Sequence, residues 1–168
     1  MLRSSGVSSA LLHGGTSTVV ALGAPPGEPG WRVAVETAPG SGPAPVAVLR
    51  DAALSVSAPH GRTLADGSGH VLDPRTGAPA EGPGVAAVIA SSARWADAWS
   101  TALLVLGALP PGAPLAQGAQ GALGARGLAA LFGRGAPGAR TWRAAGTPPP
   151  GSSFQLLHPV HDVPPRPA

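Results

Sequence analysis

A chain of 168 residues with 43% hydrophobic content is long enough for one domain with a real core, and nothing in it argues for two. Its formal net charge of +3 rests on eleven basic residues, all Arg, with no Arg stripe interleaved with aromatics, so a nucleic-acid binder is not indicated. Zero Cys excludes disulfides, a thiolate metal site and a lipid-carrying cysteine, and no apolar run approaches the ~20 residues of a membrane span.

Met1–Gly6 lacks a signal-peptide apolar region and reads as the tail of a helix stopped by Gly6, as if the chain began inside a domain. Ser9–His13 and Thr16–Leu22 are apolar or β-branched runs joined through Gly14-Gly15, the pattern of a hairpin. After a Pro/Gly loop, Trp31–Glu36 alternates apolar and polar residues with the period of a half-buried strand. Val46–Leu49 and Leu54–Ser57 are strand-like. His70–Leu72 is predicted as a short strand entering the turn Asp73-Pro74-Arg75-Thr76-Gly77, with Pro in the favoured second position. Val85–Ala90 is a buried strand.

The clearest helix spans Ser92–Leu106, with Ser91 or Ser92 able to cap it and Gly107 to stop it. Gly112–Gly127 reads as irregular, Leu128–Phe132 as a short helix and Thr141–Ala145 as a last strand. Residues 146–168 read as a poorly ordered Pro-rich tail. Gly (25) and Pro (21) exceed a quarter of the chain, but they cluster between strands and in the tail. The fold class that follows is α+β, a largely antiparallel sheet with one strong helix packed on it.

Asp97 and Thr101 stand at i and i+4 on that helix and share a face. A carboxylate and a hydroxyl are hard oxygen ligands, and Mg²⁺ is commonly held by one or two protein oxygens with phosphates and water. The spacing also suits an exposed Asp and a Thr bonding back to the helix, and by itself it favours that plainer reading. The Asp73–Gly77 turn could offer backbone N–H groups to an anion, with Arg75 adding a phosphate contact and His70 accepting a proton. A plain connecting turn with a structural His fits as well. Gly14-Gly15 permits close backbone approach to a ligand, or simply a hairpin turn. His158, His161 and Asp162 lie in the tail, His13 and His60 are isolated, and the four Trp residues read as core or interface anchors.

In order and spacing these pieces resemble the ApbE family, the FAD:protein FMN transferases. The matching segments are the Gly14-Gly15 turn, Trp31-Arg32-Val33 and Leu54-Ser55-Val56-Ser57. The most specific are His70-Val71-Leu72-Asp73-Pro74-Arg75-Thr76-Gly77 and Ala96-Asp97-Ala98-Trp99-Ser100-Thr101-Ala102-Leu103. The resemblance covers residues 1–145, as the C-terminal portion of such a domain, and leaves the tail unmatched.

It implies transfer of FMN from FAD to a Thr or Ser hydroxyl of a target flavoprotein, with release of AMP. It also implies dependence on Mg²⁺ and action outside the cytoplasmic membrane or at its surface, any membrane association belonging to the full-length protein. By position, Asp97 and Thr101 match the family's metal ligands and His70 its turn histidine, the implied catalytic residue. Gly14, Gly15, Ser57, His70, Pro74, Thr76 and Gly77 fall at implied nucleotide contacts. Two departures stand out. The family's glycine-rich motif with a lysine has no counterpart, since the chain has no Lys, and its Ser-Gly is here Ser57-Ala58 followed by Pro59. The resemblance therefore leads to a transferase weakly active or inactive alone. The alternatives are a non-catalytic flavin-nucleotide-binding remnant and a Gly/Pro-rich structural segment.

Overall fold

The computed structural model describes residues 2–15, 17–35, 44–59, 67–81, 84–107, 128–134 and 141–156. A six-stranded antiparallel sheet runs in the order β1 (Ala10–Gly14), β2 (Thr18–Leu22), β5 (Ala52–Ser57), β6 (Val85–Ala90), β7 (Leu128–Arg134) and β8 (Thr141–Thr147). A second sheet joins β3 (Trp31–Ala34), β4 (Val46–Leu49) and β9 (Ser153–Gln155), also antiparallel. The helix α1 (Ala93–Leu106) packs mainly across β5 and β6. The result is α+β as the sequence predicts, with the large sheet sandwiched between helix and small sheet.

Strand periodicity explains how one sheet serves two cores. In β6, Ala86, Val88 and Ala90 join the core under α1, while Val85, Ala87 and Ile89 face the small sheet. All six are buried, so this strand reads as a continuous apolar run rather than an alternating one. In β5 the division is chemical as well. Ala52 and Leu54 enter the inter-sheet core, whereas Ser55 and Ser57 turn toward α1. Helix α1 buries Ala96, Ser100, Leu103 and Leu104, a stripe at helical spacing. Trp95 and Trp99 are half-buried against the same core, as their reading as packing anchors implied.

The N-terminal segment is a single 3-10 turn, Arg3–Ser5, ended by Gly6 at φ 80°. Gly107 terminates α1 at φ 76°. Ser92 occupies the N-cap position of α1, but its side chain makes no capping hydrogen bond, and its carbonyl instead accepts from Ala96 N–H.

Three local expectations are corrected. Leu128–Phe132 is part of strand β7, not a helix. Its Leu and Ala residues favour helix, yet the segment lies between β6 and β8 with both faces buried, and tertiary packing overrides propensity. His70–Leu72 is not a strand; only an isolated bridge joins Leu72 to Pro79. The stretch read as tail contains β9, which pairs with β4 and places Phe154 against the inter-sheet core. Ser152 secures it, its hydroxyl accepting from Arg50 N–H at 3.1 Å. Residues 108–127 and 157–168, with the predicted irregular segment and the rest of the tail, lie outside the described residues. Among the described residues no helix is long and apolar enough to cross a membrane.

Candidate functional site

Asp97 and Thr101 each follow a buried residue of α1, Ala96 and Ser100. They are therefore rotated about 100° from the buried stripe, at its rim, where a side chain can reach the sheet and stay open to solvent. Both are exposed. The sheet meets them with hydroxyls. Ser55 Oγ donates to Asp97 Oδ1 at 3.2 Å, and Thr18 Oγ1 approaches the same oxygen at 3.5 Å. Thr18 Oγ1 and Ser55 Oγ lie 3.1 Å apart, since the two residues are register partners across β2 and β5. Ser57 Oγ sits 2.9 Å from Ser100 Oγ and 3.2 Å from Thr101 Oγ1. Ser100 Oγ is 3.3 Å from Ser55 Oγ and donates to Asp97 O at 3.0 Å.

The structure thus brings together Asp97, Thr101 and Ser57, and adds Thr18, Ser55 and Ser100, which sequence reasoning missed. Signals for two of them were present. Ser55 and Ser57 share a face of an otherwise apolar strand, and Ser100 lies one helical turn after Asp97. Thr18 had none, because its place depends on strand register.

The Gly14-Gly15 turn closes the β1–β2 hairpin, with Gly14 opposite Thr18 and Gly15 at φ 84°. It stands beside the Thr18 end of the cluster. On the other side, Val71 packs into the core under α1, and the backbone at Gly69 lies close against the Pro59 carbonyl just beyond β5. His70, between them, is exposed.

The Asp73–Gly77 turn is internally satisfied. Asp73 Oδ1 accepts from Arg75 N–H at 2.8 Å and from its Nε at 2.9 Å, while Oδ2 takes Nη2 at 2.6 Å. Thr76 and Gly77 donate their N–H groups to Asp73 O, and Ala78 N–H goes to Thr76 Oγ1. Gly77 has φ 70°, a left-handed conformation that favours glycine. The turn amides are thus spent on closing the turn, while Arg75 pairs with Asp73 through Nε and Nη2 and keeps its remaining N–H groups exposed. Pro74 is exposed at its tip.

The side-chain hydrogen bond from Arg75, followed by its backbone N–H, holds the Asp73 carboxyl below the usual carboxylate range. A lowered folded pKa contributes stability that is complete above the unfolded value and lost as pH falls through the folded one. The turn is expected to persist through the ordinary carboxylate range and loosen only in stronger acid. The Arg75 Nε–H resonance followed during acid titration checks this; loss of the contact already at mildly acid pH would contradict it.

An open depression of about 440 Å³ separates this turn from the end of α1, lined in part by Asp73, Arg75, Thr76, Val105, Gly107 and Arg134. Val105 is four residues beyond Thr101 on the same helix face, about 6 Å further along the axis. The depression thus begins about one turn of α1 beyond Thr101, and the Asp73–Gly77 turn borders it.

The donor set suits a hard divalent cation: one carboxylate and several hydroxyls, all oxygen. It would leave most of the coordination to phosphate and water, since no group of three His, Asp or Glu side chains occurs among the described residues. His13 is exposed on β1, and His60, His158, His161 and Asp162 lie outside the described residues.

The ApbE family model matches residues 1–123. The chain belongs to the ApbE family. Its fold is similar to the flavin transferase ApbE from Vibrio cholerae, with TM-score 0.63 at 21% identity over 86% of this chain and 44% of that one. The apo form of the flavinyl transferase ApbE from Pseudomonas stutzeri gives TM-score 0.63 at 27% identity, covering 85% and 42%. The ApbE protein from Thermotoga maritima gives 0.56 at 27% identity, covering 74% and 40%. This ApbE-family chain thus spans less than half the length of each structure. No curated protein matches it by sequence.

Proposed function

We propose that this chain carries the metal-binding and part of the nucleotide-binding portion of an FAD:protein FMN transferase. The observation that carries the reading is the placement of Asp97 and Thr101 on one helix face that continues through Val105 to the Asp73–Gly77 turn. A divalent cation at the first pair and an elongated dinucleotide along the rest would fit that line. Membership in the ApbE family and the likeness to flavin transferase structures support the choice of a flavin nucleotide.

Asp97 and Thr101 would hold Mg²⁺. The chemistry it supplies when bound is neutralisation of pyrophosphate charge as AMP departs. Gly14 and Gly15 would allow close backbone approach beside Thr18. Ser57, Pro74, Thr76 and Gly77 would line the nucleotide, with Arg75 kept on Asp73 to hold the turn's shape. In the transfer, a Thr or Ser hydroxyl oxygen of a target flavoprotein bonds to the FMN phosphorus. The phosphorus–oxygen bond to AMP breaks, and His70 accepts the hydroxyl proton. The family's Lys-bearing motif has no counterpart here, since the chain has no Lys. The acceptor partner is a flavoprotein segment.

Two measurements test the reading. FAD binding by this chain, followed calorimetrically, is expected to tighten when Mg²⁺ is added; binding indifferent to Mg²⁺ would remove the metal from the proposal. With FAD, Mg²⁺ and a threonine-containing acceptor peptide, the chain alone is expected to transfer little or no FMN. Robust flavinylation of the peptide would show that these 168 residues suffice.

A further inference from the structure

Each hydroxyl of the cluster has one proton, and two groups in it accept only, the Asp97 carboxylate and the Asp97 backbone carbonyl. Ser100 Oγ lies within reach of three acceptors, Asp97 O at 3.0 Å, Ser55 Oγ at 3.3 Å and Ser57 Oγ at 2.9 Å, and only the carbonyl cannot donate in return. With that proton on the Asp97 carbonyl, the 2.9 Å contact with Ser57 is donated by Ser57. Ser57 then has no proton left for Thr101, and the 3.2 Å contact between them is a bond donated by Thr101. At the other end Ser55 donates to Asp97 Oδ1 at 3.2 Å. Thr101 therefore turns its proton toward the sheet and its lone pairs away from it. A hydroxyl that ligates a cation must do the same, since only the lone pairs bind metal.

We propose that Ser55 and Ser100 are positioning residues of the cation site, forming with Ser57 a hydrogen-bond relay that orients both Asp97 and Thr101. Both serines are fully buried, at 0% relative exposure, so neither is an incidental surface hydroxyl. Ser100 fixes the direction of the Thr101 bond without touching the cation. Ser55 fixes the carboxylate oxygen of Asp97, with Thr18 as the flanking hydroxyl. The inference rests on the reading of Asp97 and Thr101 as cation ligands.

The test uses the whole chain and Mn²⁺ as the probe, its binding in the presence of FAD read by electron paramagnetic resonance. Ser100→Ala and Ser55→Ala are each expected to weaken Mn²⁺ binding about 10-fold, the usual scale for partners that orient metal ligands. Ser100→Ala gains helix propensity but gives up buried hydrogen bonds, so its melting temperature is expected to fall modestly, and Mn²⁺ affinity is compared at a temperature where every variant is fully folded. In the metal-free chain, side-chain couplings of Asp97 are expected to report one χ1 rotamer, and averaging in Ser55→Ala. Mn²⁺ affinity within twofold of the unsubstituted chain in both serine variants would overturn the relay. If Asp97→Ala loses Mn²⁺ affinity while both serine variants keep it, the relay fails and the metal reading stands. A chain that binds no Mn²⁺ overturns both.

Discussion

Leu104→Ala is expected to cost about 3 kcal/mol of stability, within the range for removing a buried leucine. Leu104 is fully buried in the core between α1 and the large sheet, with Val88, Leu103, Leu128 and Phe132 in the same cluster. The neighbouring strands are tied into a continuous ladder from β5 to β8 and cannot collapse inward to fill the space. Against a total stability of about 5–15 kcal/mol, that loss is a large fraction. At ~2–4 °C per kcal/mol for a chain of this size, the melting temperature should drop by roughly 10 °C. Leu72→Ala is the internal control, because Leu72 is 46% exposed, and its effect should stay within about 0.5 kcal/mol. Urea unfolding of the three proteins decides the matter. Equal midpoints would mean that α1 is not docked on the sheet as described. A sharp transition would also exclude the Gly/Pro-rich structural segment, which has no core to melt cooperatively.

What the sequence discloses and what it withholds have physical causes. Val85–Ala90 is readable as a short, unbroken apolar run, and Ala93–Leu106 by its length without Gly or Pro and its stop at Gly107. Leu128–Phe132 is not, since Leu and Ala suit either structure and only the strands on both sides decide. Phe154 is a single aromatic among Pro, Gly and Ser, and nothing local reveals that β4 has an open edge for it. The site divides in the same way. Asp97 and Thr101 are visible from i,i+4 spacing and from the motif around them. Thr18 and Ser55 meet across 37 residues of sequence because of strand register, which no local pattern encodes. Arg75 was legible in principle: an aspartate two residues before an arginine in a tight turn is a natural partner, and that pairing engages one edge of the guanidinium.

Asp97→Ala is expected to abolish the Mg²⁺ dependence of FAD binding, with cation affinity falling on the order of 100-fold or more, about 2.7 kcal/mol. Asp97 supplies the formal charge of the described cluster; its other donors, Thr18, Ser55, Ser57, Ser100 and Thr101, are neutral hydroxyls. Attraction between a carboxylate and a dication outweighs the contribution of any neutral oxygen at similar distance, so Thr101→Ala should cost only about 10-fold. Alanine at 97 also takes away the shared acceptor of the Ser55 and Thr18 hydroxyls, which can then satisfy only one of their two protons on each other, and a buried donor left unsatisfied costs about 1–3 kcal/mol. Asp97→Asn separates the two effects: it keeps an acceptor for Ser55 but removes the charge. Loss of Mg²⁺ response in both variants, with stability lowered only in Asp97→Ala, would assign the metal effect to charge rather than to collapse of the hydroxyl cluster. An unchanged Mg²⁺ response in Asp97→Ala would take Asp97 out of the site and leave the plainer reading of the helix face, an exposed carboxylate anchored to two sheet hydroxyls.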